Sequence, residues 1–145
     1  MKRPFCLVAL LILVTAARAN DIDLSIGGAK PPDPAYVVSS DHADRLPRWS
    51  PDDHTTPPLE MNRVLEIVRT RIQTQLPNQE WRLSTAGLNL PGDPWAKRIP
   101  YYYVSIQYHP KGSTGDEAMY WSKAKWWYFV VLMDGTVLTH DPVKD

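Results

Sequence analysis

Residues 125–140 read KWWYFVVLMDGTVLTH, and the rest of the predicted fold is arranged around this stretch. Eight of its first nine residues are aromatic, aliphatic or Met, so the pattern predicts a strand that is apolar on both faces. Asp134-Gly135 follows, and between apolar runs it indicates a hairpin with a type I′ turn, in which both central residues have positive φ. Val137 and Leu138 begin the return strand. We therefore expect a hairpin whose first strand lies near the middle of a sheet.

One amphipathic helix is predicted before the strands, from about residue 58 to residue 76. Its apolar residues recur at intervals of three and four, which places them on one stripe of a helix. Thr56 is positioned to cap the helix, and Pro57 to occupy its first turn, where a missing N–H is tolerated. Pro77 ends it. The stripe consists of Met61, Val64, Leu65, Val68, Ile72 and Leu76.

Two more strands are predicted between the helix and the hairpin. Residues 80–90 alternate in hydropathy, and Gly87 indicates a bulge or bend within them. Residues 101–109 also alternate, so that the even-numbered and odd-numbered residues lie on opposite faces, and residues 110–123 are predicted to be a loop. The fold class is therefore α+β: one helix packed on a three- to four-stranded antiparallel sheet, with the helix first and a β-meander after it. The pattern leaves open which face of residues 126–133 carries the helix.

The first nineteen residues have the pattern of a secretory signal peptide. Lys2 and Arg3 precede an unbroken apolar run over residues 5–14, and residues 17–19 read Ala-Arg-Ala, a small-x-small cleavage pattern. The run is about half as long as the roughly twenty residues that span a bilayer. We expect cleavage before Asn20, no stable membrane span afterwards, and a location in a bacterial periplasm or outside the cell.

Residues 20–56 have the composition of a linker. Seven prolines lie between residues 31 and 58, and each removes a backbone donor and fixes φ. We expect a Pro-rich, partly disordered arm over residues 20–56, followed by the α+β domain over residues 57–145. Residues 36–38 and Trp49 are the candidate anchors of the arm on the core.

Charge and cysteine content narrow the function classes. Removal of residues 1–19 takes away Lys2, Arg3 and Arg18, so 13 of the 16 basic residues remain against 16 acidic ones, a net charge of −3. This balance argues against nucleic acid as a partner, which needs a basic surface. The single cysteine, Cys6, lies in the predicted signal peptide. A mature chain without disulfides favours a bacterial envelope protein.

The run Tyr-Phe-Val-Val-Leu-Met-Asp-Gly-Thr-Val-Leu at residues 128–138, preceded by a helix and a meander, resembles the small exported PepSY-type and cystatin-like domains. The resemblance covers about the last 85 residues. It implies a non-catalytic binding or inhibitory module outside the cytoplasm. Residues 110–123 and Trp126-Trp127 depart from that pattern.

Histidines and carboxylates are the remaining candidates for chemistry. Residues 41–44 and 52–54 contain both groups, but their spacing matches no structural metal site and their Pro-rich context favours a solvated acidic linker. His109 and His140 each end a strand. If they met at one rim of the sheet, they would form an acid–base or metal site, and an envelope enzyme or metal-binding protein is therefore an alternative function. No catalytic or phosphate-binding motif is present, and no cofactor is predicted.

The aromatic residues are the main clue to function. Flat side chains with polar tips favour surfaces that bind sugars, peptides or proteins. The competing interpretation, which we favour, is a second small core beneath the Pro-rich segment. We predict a non-catalytic binding domain for an unidentified protein, peptide or saccharide, using the aromatic sheet face or residues 110–123, and a structural spacer is the other alternative. The candidate binding residues are Tyr101, Tyr103, His109, Trp121 and Trp126.

Overall fold

The computed structural model describes residues 22–24, 36–90, 99–113, 116–140 and 142, so the predicted signal peptide lies outside the described residues. The elements in chain order are β1 (Ile22–Asp23), β2 (Val37–Val38), α1 (Ser40–Arg45), a 3-10 turn (Pro51–Asp53), α2 (Met61–Gln75), β3 (Gln79–Asn89), β4 (Tyr101–Pro110), α3 (Glu117–Ser122), β5 (Lys125–Leu132) and β6 (Val137–Thr139).

The main sheet has four antiparallel strands in the order β3-β4-β5-β6, which is a simple meander. One main helix and this sheet confirm the predicted α+β class. β5 is an interior strand, as the hairpin pattern predicted. β1 and β2 form a separate antiparallel pair, with Ile22 opposite Val38.

α2 packs on one face of the sheet, which we call the helix side. Val64, Val68 and Ile72 of its apolar stripe are buried. They contact the even-numbered residues of β4 and the odd-numbered positions of residues 127–133, which answers the question that the sequence left open. Burial of each large apolar side chain contributes roughly 1.5–3 kcal/mol, so this core dominates the stability of the domain. The sheet residues of this core are Tyr102, Val104, Ile106, Tyr108, Trp127, Phe129, Val131 and Met133.

The start of α2 differs from the prediction. The helix begins at Met61, its N-cap is Glu60, and no side chain caps it. Pro57 precedes Pro58, and a residue before proline is disfavoured in the helical conformation, so the predicted cap at Thr56 does not form. The entry to the helix is held instead by the sheet, because the Tyr102 hydroxyl donates to the Leu59 carbonyl at 2.5 Å. Burial, with a smaller contribution from Glu60, raises the pKa of Tyr102.

A second core covers part of the other face of the sheet, which we call the opposite side. It is formed by the N-terminal segment, by which we mean the described residues 22–24 and 36–46. Trp49, the other predicted anchor, packs instead on the core of the helix side. Tyr36, Val38 and Leu46 of this segment are buried. They pack with Leu24 and Ile99 on Tyr101, Val130 and Leu132. The second small core that we favoured beneath the Pro-rich segment is therefore present in the described residues. It forms because a strand that is apolar on both faces needs cover on both.

The hairpin turn is not the predicted type I′. Gly135 has φ +86°, but Asp134 does not have positive φ. The Gly135 N–H donates to the Leu132 carbonyl and the Leu132 N–H donates to the Thr136 carbonyl, both at 2.9 Å. These bonds enclose a three-residue loop over residues 133–135, in which a type I turn is followed by a left-handed glycine. The Asp-Gly pair correctly located the hairpin, but it did not predict the length of its loop.

The irregularity in β3 also lies elsewhere than predicted. The β3–β4 register shifts between Leu83 and Thr85, so the extra residue is Ser84 and not Gly87. Gly87 is required for a different reason. A Cβ on Gly87 would lie 2.7–2.8 Å from the ring and hydroxyl of Tyr103, so only glycine lets this ring lie against β3.

Candidate functional site

The opposite side of the sheet consists of two halves. Over the covered half, the N-terminal segment buries Tyr101, Val130 and Leu132. The open half lies toward the start of β5, where the described N-terminal segment does not bury the sheet. Its surface, which we call the open half-face, consists of Arg82, Gln107, Trp121, Trp126 and Tyr128.

Trp126 and Tyr128 are the aromatic centre of the open half-face. Residues i and i+2 of a strand share a face, so alternation along β5 puts both rings on the opposite side. Trp126 is 48% exposed and Tyr128 is 39% exposed. Their ring centroids are 6.1 Å apart and the ring planes differ by 10°. The two rings therefore present a nearly parallel pair to the solvent.

A polar row lies beside this pair. Arg82 of β3 is opposite Gln107 of β4, which is opposite Trp126 of β5, so the three residues cross the sheet in one line. Arg82 Nε donates to Gln107 Oε1 at 2.8 Å. This bond orients the guanidinium and leaves the amide nitrogen of Gln107 and the terminal nitrogens of Arg82 as donors to a ligand.

α3 supplies Trp121 to the open half-face. The sequence predicted a loop over residues 110–123, but residues 117–122 are helical. Trp121 is half-buried, and the Arg82 guanidinium carbon lies 4.2 Å from its ring centroid. This is a cation–π contact, which holds the arginine between the tryptophan ring and Gln107.

His109 lies beneath Trp121 and supports it. The histidine is only 8% exposed, and its ring meets the Trp121 ring edge-on with centroids 4.5 Å apart. His109 Nδ1 lies 3.0 Å from the Pro110 carbonyl oxygen, and Nε2 lies 3.7 Å from Glu80 Oε2. His109 was predicted as a binding residue; in the structure it positions Trp121 and offers almost no surface of its own.

Tyr101 and Tyr103, also predicted as binding residues, belong to the covered half. Tyr101 is buried beneath the N-terminal segment and its hydroxyl accepts a hydrogen bond from the Asn89 side chain. Burial raises the pKa of Tyr101, and the bond from Asn89 only partly offsets this. Tyr103 is half-buried against the same core, with its ring against Gly87. The structure thus places Trp121 and Trp126 at the two ends of the Arg82–Gln107 row, while both tyrosines belong to the covered half.

His109 and His140 do not meet, which corrects the geometry expected for a histidine site. β5 lies between β4 and the strand that His140 follows. The His140 ring instead meets Tyr36 edge-on with centroids 5.1 Å apart. Among the described residues, no group of three His, Cys, Asp or Glu side chains is placed to hold a metal ion.

The acidic stretches of the N-terminal segment and the 3-10 turn have structural roles. Residues 41–44 lie in α1, and His42 Nε2 lies 2.7 Å from Asp134 Oδ2 of the hairpin loop. Asp53 accepts from the Ser50 N–H at 2.9 Å and closes a capping box. Partial burial would raise the pKa of Asp134, but hydrogen bonds from His42 and Thr136 outweigh it and lower that pKa.

Three residues of the open half-face were not predicted: Arg82, Gln107 and Tyr128. Alternation along residues 125–133 already put Tyr128 on the same face as Trp126, so this residue carried a usable signal. Arg82 and Gln107 had none, because a bulge at Ser84 shifts the register by one residue and decides which β3 side chain faces Gln107.

No helix in the described part of the chain is long and apolar enough to cross a membrane. Comparisons with protein-family models, with curated proteins and with solved structures find no match. The resemblance to PepSY-type and cystatin-like domains therefore stays a prediction that rests on residues 128–138.

Proposed function

We propose that this chain is a small exported binding domain without catalytic activity, and that its open half-face binds a partner protein. The observation that carries the proposal is the exposed, nearly parallel pair of Trp126 and Tyr128. The chain covers the neighbouring half of the same face with its own N-terminal segment and leaves this pair in contact with solvent. Large aromatic rings left exposed together are typical of interaction sites.

The composition of the open half-face favours a protein or peptide over other ligands. Trp, Tyr and Arg are the residue types that contribute most binding energy at protein interfaces, and Trp121, Trp126, Tyr128 and Arg82 supply all three. The surface is part of a sheet and not a deep pocket, and flat surfaces suit macromolecular partners. Arg82 and Gln107 are held in place by their mutual hydrogen bond, so fewer side chains lose freedom when a partner binds.

Export is supported by the sequence of residues 1–19 and by the absence of cysteine from residues 20–145. We expect the protein isolated from the envelope or medium of its source cell to begin at Asn20. N-terminal sequencing of that protein tests the site. Recovery of the chain in the cytoplasm with residues 1–19 still attached would contradict export.

Site-specific photo-crosslinking in the source cell tests the binding surface. A photoreactive residue is placed at Thr85, which is exposed on the opposite side of the sheet, next to the open half-face. The control is the same residue at Thr70, which is exposed on α2. We expect a discrete adduct from position 85 and none from position 70. Equal adducts from both, or none from either, would overturn the proposal.

A matched pair of alanine variants then connects the adduct to the aromatic pair. Trp126→Ala should reduce the adduct from position 85 at least about ten-fold, because truncation of a tryptophan at the energetic centre of an interface costs about 2 kcal/mol or more. Leu90→Ala removes a comparably exposed apolar side chain outside the open half-face and should leave the adduct intact.

A saccharide ligand is the competing possibility, and titration with soluble oligosaccharides, followed by tryptophan fluorescence, tests it. Saturable binding that Trp126→Ala removes, without a protein adduct, would identify a saccharide ligand.

A further inference from the structure

β3 is an edge strand of the main sheet. It has 11 residues, and no other strand among the described residues pairs with its outer edge. β6, at the other edge, has only three residues. Unpaired N–H and C=O groups along a long edge strand are a template for another strand. Within the described part of the chain, the main sheet therefore has one long edge strand and one short one.

The bulge at Ser84 limits how much of this edge is straight. Before the bulge, residues 79–83 read Gln-Glu-Trp-Arg-Leu and pair with β4 without a register shift. They contain neither proline nor lysine, the residues that most often protect edges. Trp81 and Leu83 lie opposite Tyr108 and Ile106 and so face the helix side, as those two residues do.

We propose that residues 79–83 pair with the same residues of a second copy, antiparallel about a two-fold axis at Trp81. In this register Trp81 lies opposite Trp81 of the second copy, Glu80 lies opposite Arg82, and Gln79 lies opposite Leu83. The two four-stranded sheets become one continuous sheet of eight strands. The pairing shares Arg82 with the open half-face, but it needs no ligand there.

The charges on the opposite side of the sheet are complementary in this register. Glu80 and Arg82 alternate with Trp81 and share that side, so the two-fold axis creates two Glu80–Arg82 pairs, each with one carboxylate opposite one guanidinium. Glu80 is 55% exposed on its side chain. Arg82 uses Nε for Gln107 and its planar face for Trp121, which leaves its terminal nitrogens for the carboxylate of the second copy.

The helix side supplies the apolar part of the interface. Leu83 is 46% exposed although it lies on the face that carries the main core, and Trp81 beside it is only half-buried. Pairing at Trp81 places the two tryptophans in a cross-strand aromatic pair, with the two leucines beside them. Aromatic and opposite-charge cross-strand pairs each stabilise a sheet only modestly, so we expect a weak association that depends on protein concentration.

Charge reversal tests the register. The chain over residues 20–145 is followed by sedimentation velocity across a range of concentrations, where we expect a reversible monomer–dimer equilibrium. Glu80→Arg alone and Arg82→Glu alone should each weaken the dimer about ten-fold, because two attractive pairs become two repulsive ones. The double variant Glu80→Arg/Arg82→Glu should restore it. Glu66→Arg, the same change on exposed helix α2, should have no effect.

Disulfide formation between two copies tests whether the two-fold axis lies at Trp81. Residues 20–145 contain no cysteine, so Trp81→Cys introduces a single thiol. Directly opposite residues in an antiparallel pair have Cα atoms about 4.5–5.5 Å apart, which suits a disulfide. Trp81→Cys should therefore form a covalent dimer on mild oxidation much faster than Leu83→Cys, which lies opposite Gln79. A chain that stays monomeric at all concentrations, a dimer indifferent to Glu80→Arg, or equal oxidation of both cysteine variants would each overturn the proposal.

Discussion

The covered half and the open half of the opposite side are built from the same strand. Val130 and Leu132 lie in one half, and Trp126 and Tyr128 lie in the other, at alternate positions of β5. All four are apolar or aromatic, so hydropathy alone does not separate them. In the fold they differ in whether the N-terminal segment lies over them. The comparison shows that the chain covers only part of this face with its own residues, and under the proposed function the rest binds a partner.

The largest expected difference in stability is between two variants, one with an aspartate in the covered half and one with an aspartate in the open half. Val130→Asp should destabilise the domain by about 4 kcal/mol or more, because the carboxylate would be buried without a partner. Tyr128→Asp should cost less than about 1 kcal/mol, since its ring is exposed. Urea denaturation followed by circular dichroism measures both. Similar losses for the two variants would show that the open half is covered in solution.

Truncation of the cover is expected to have the next largest effect. Tyr36→Ala should cost about 2–4 kcal/mol, because a buried ring is removed and its hydroxyl no longer donates to the Tyr128 carbonyl. Val37→Ala, at the half-buried neighbouring position, should cost much less. Thermal unfolding compares the two. A Tyr36→Ala variant as stable as the unmodified chain would mean that the segment contributes nothing to the fold.

A third variant examines the contact between β3 and the covered half. Gly87→Ala should destabilise by about 1–3 kcal/mol, because its Cβ would overlap the Tyr103 ring. In a Tyr103→Ala background the same substitution should cost much less, since the obstructing ring is gone. A double-mutant cycle on unfolding free energies measures this coupling. Independent, additive effects would exclude the contact.

The smallest effect concerns the bond from α1 to the hairpin loop. The pKa of Asp134 is lowered in the folded state, so its stabilisation is present above the ordinary value of 3.8 and is lost as the pH falls through the folded-state value. Asp134→Asn should cost less than about 1 kcal/mol near neutral pH, because the pair with His42 is partly exposed. The variant should also lose less stability than the unmodified chain on acidification below about pH 4. If the variant and the unmodified chain lose the same stability on acidification, protonation of Asp134 does not affect folding.

Most of the fold was predictable from local patterns. The stripe of α2, the alternation in β4 and the Asp-Gly signal each depend on residues close in sequence, and each located its element. Two predictions were wrong because they ignored neighbouring residues. The helix begins only at Met61, after Pro58, and Gly87 makes room for the Tyr103 ring and does not form a bulge. Of the candidate site, Trp121 and Trp126 were found, but Arg82 was not, because its neighbours are fixed by the β3–β4 register.

The second core has a consequence for the order in which the chain folds. The Tyr36 hydroxyl donates to the Tyr128 carbonyl, and His42 contacts Asp134, each across 92 residues of sequence. Contacts at such separation require closure of a long loop and form late. The N-terminal segment, which precedes every strand of the main sheet in the chain, thus docks last, after the final hairpin exists. Until then its apolar residues have no sheet to pack on.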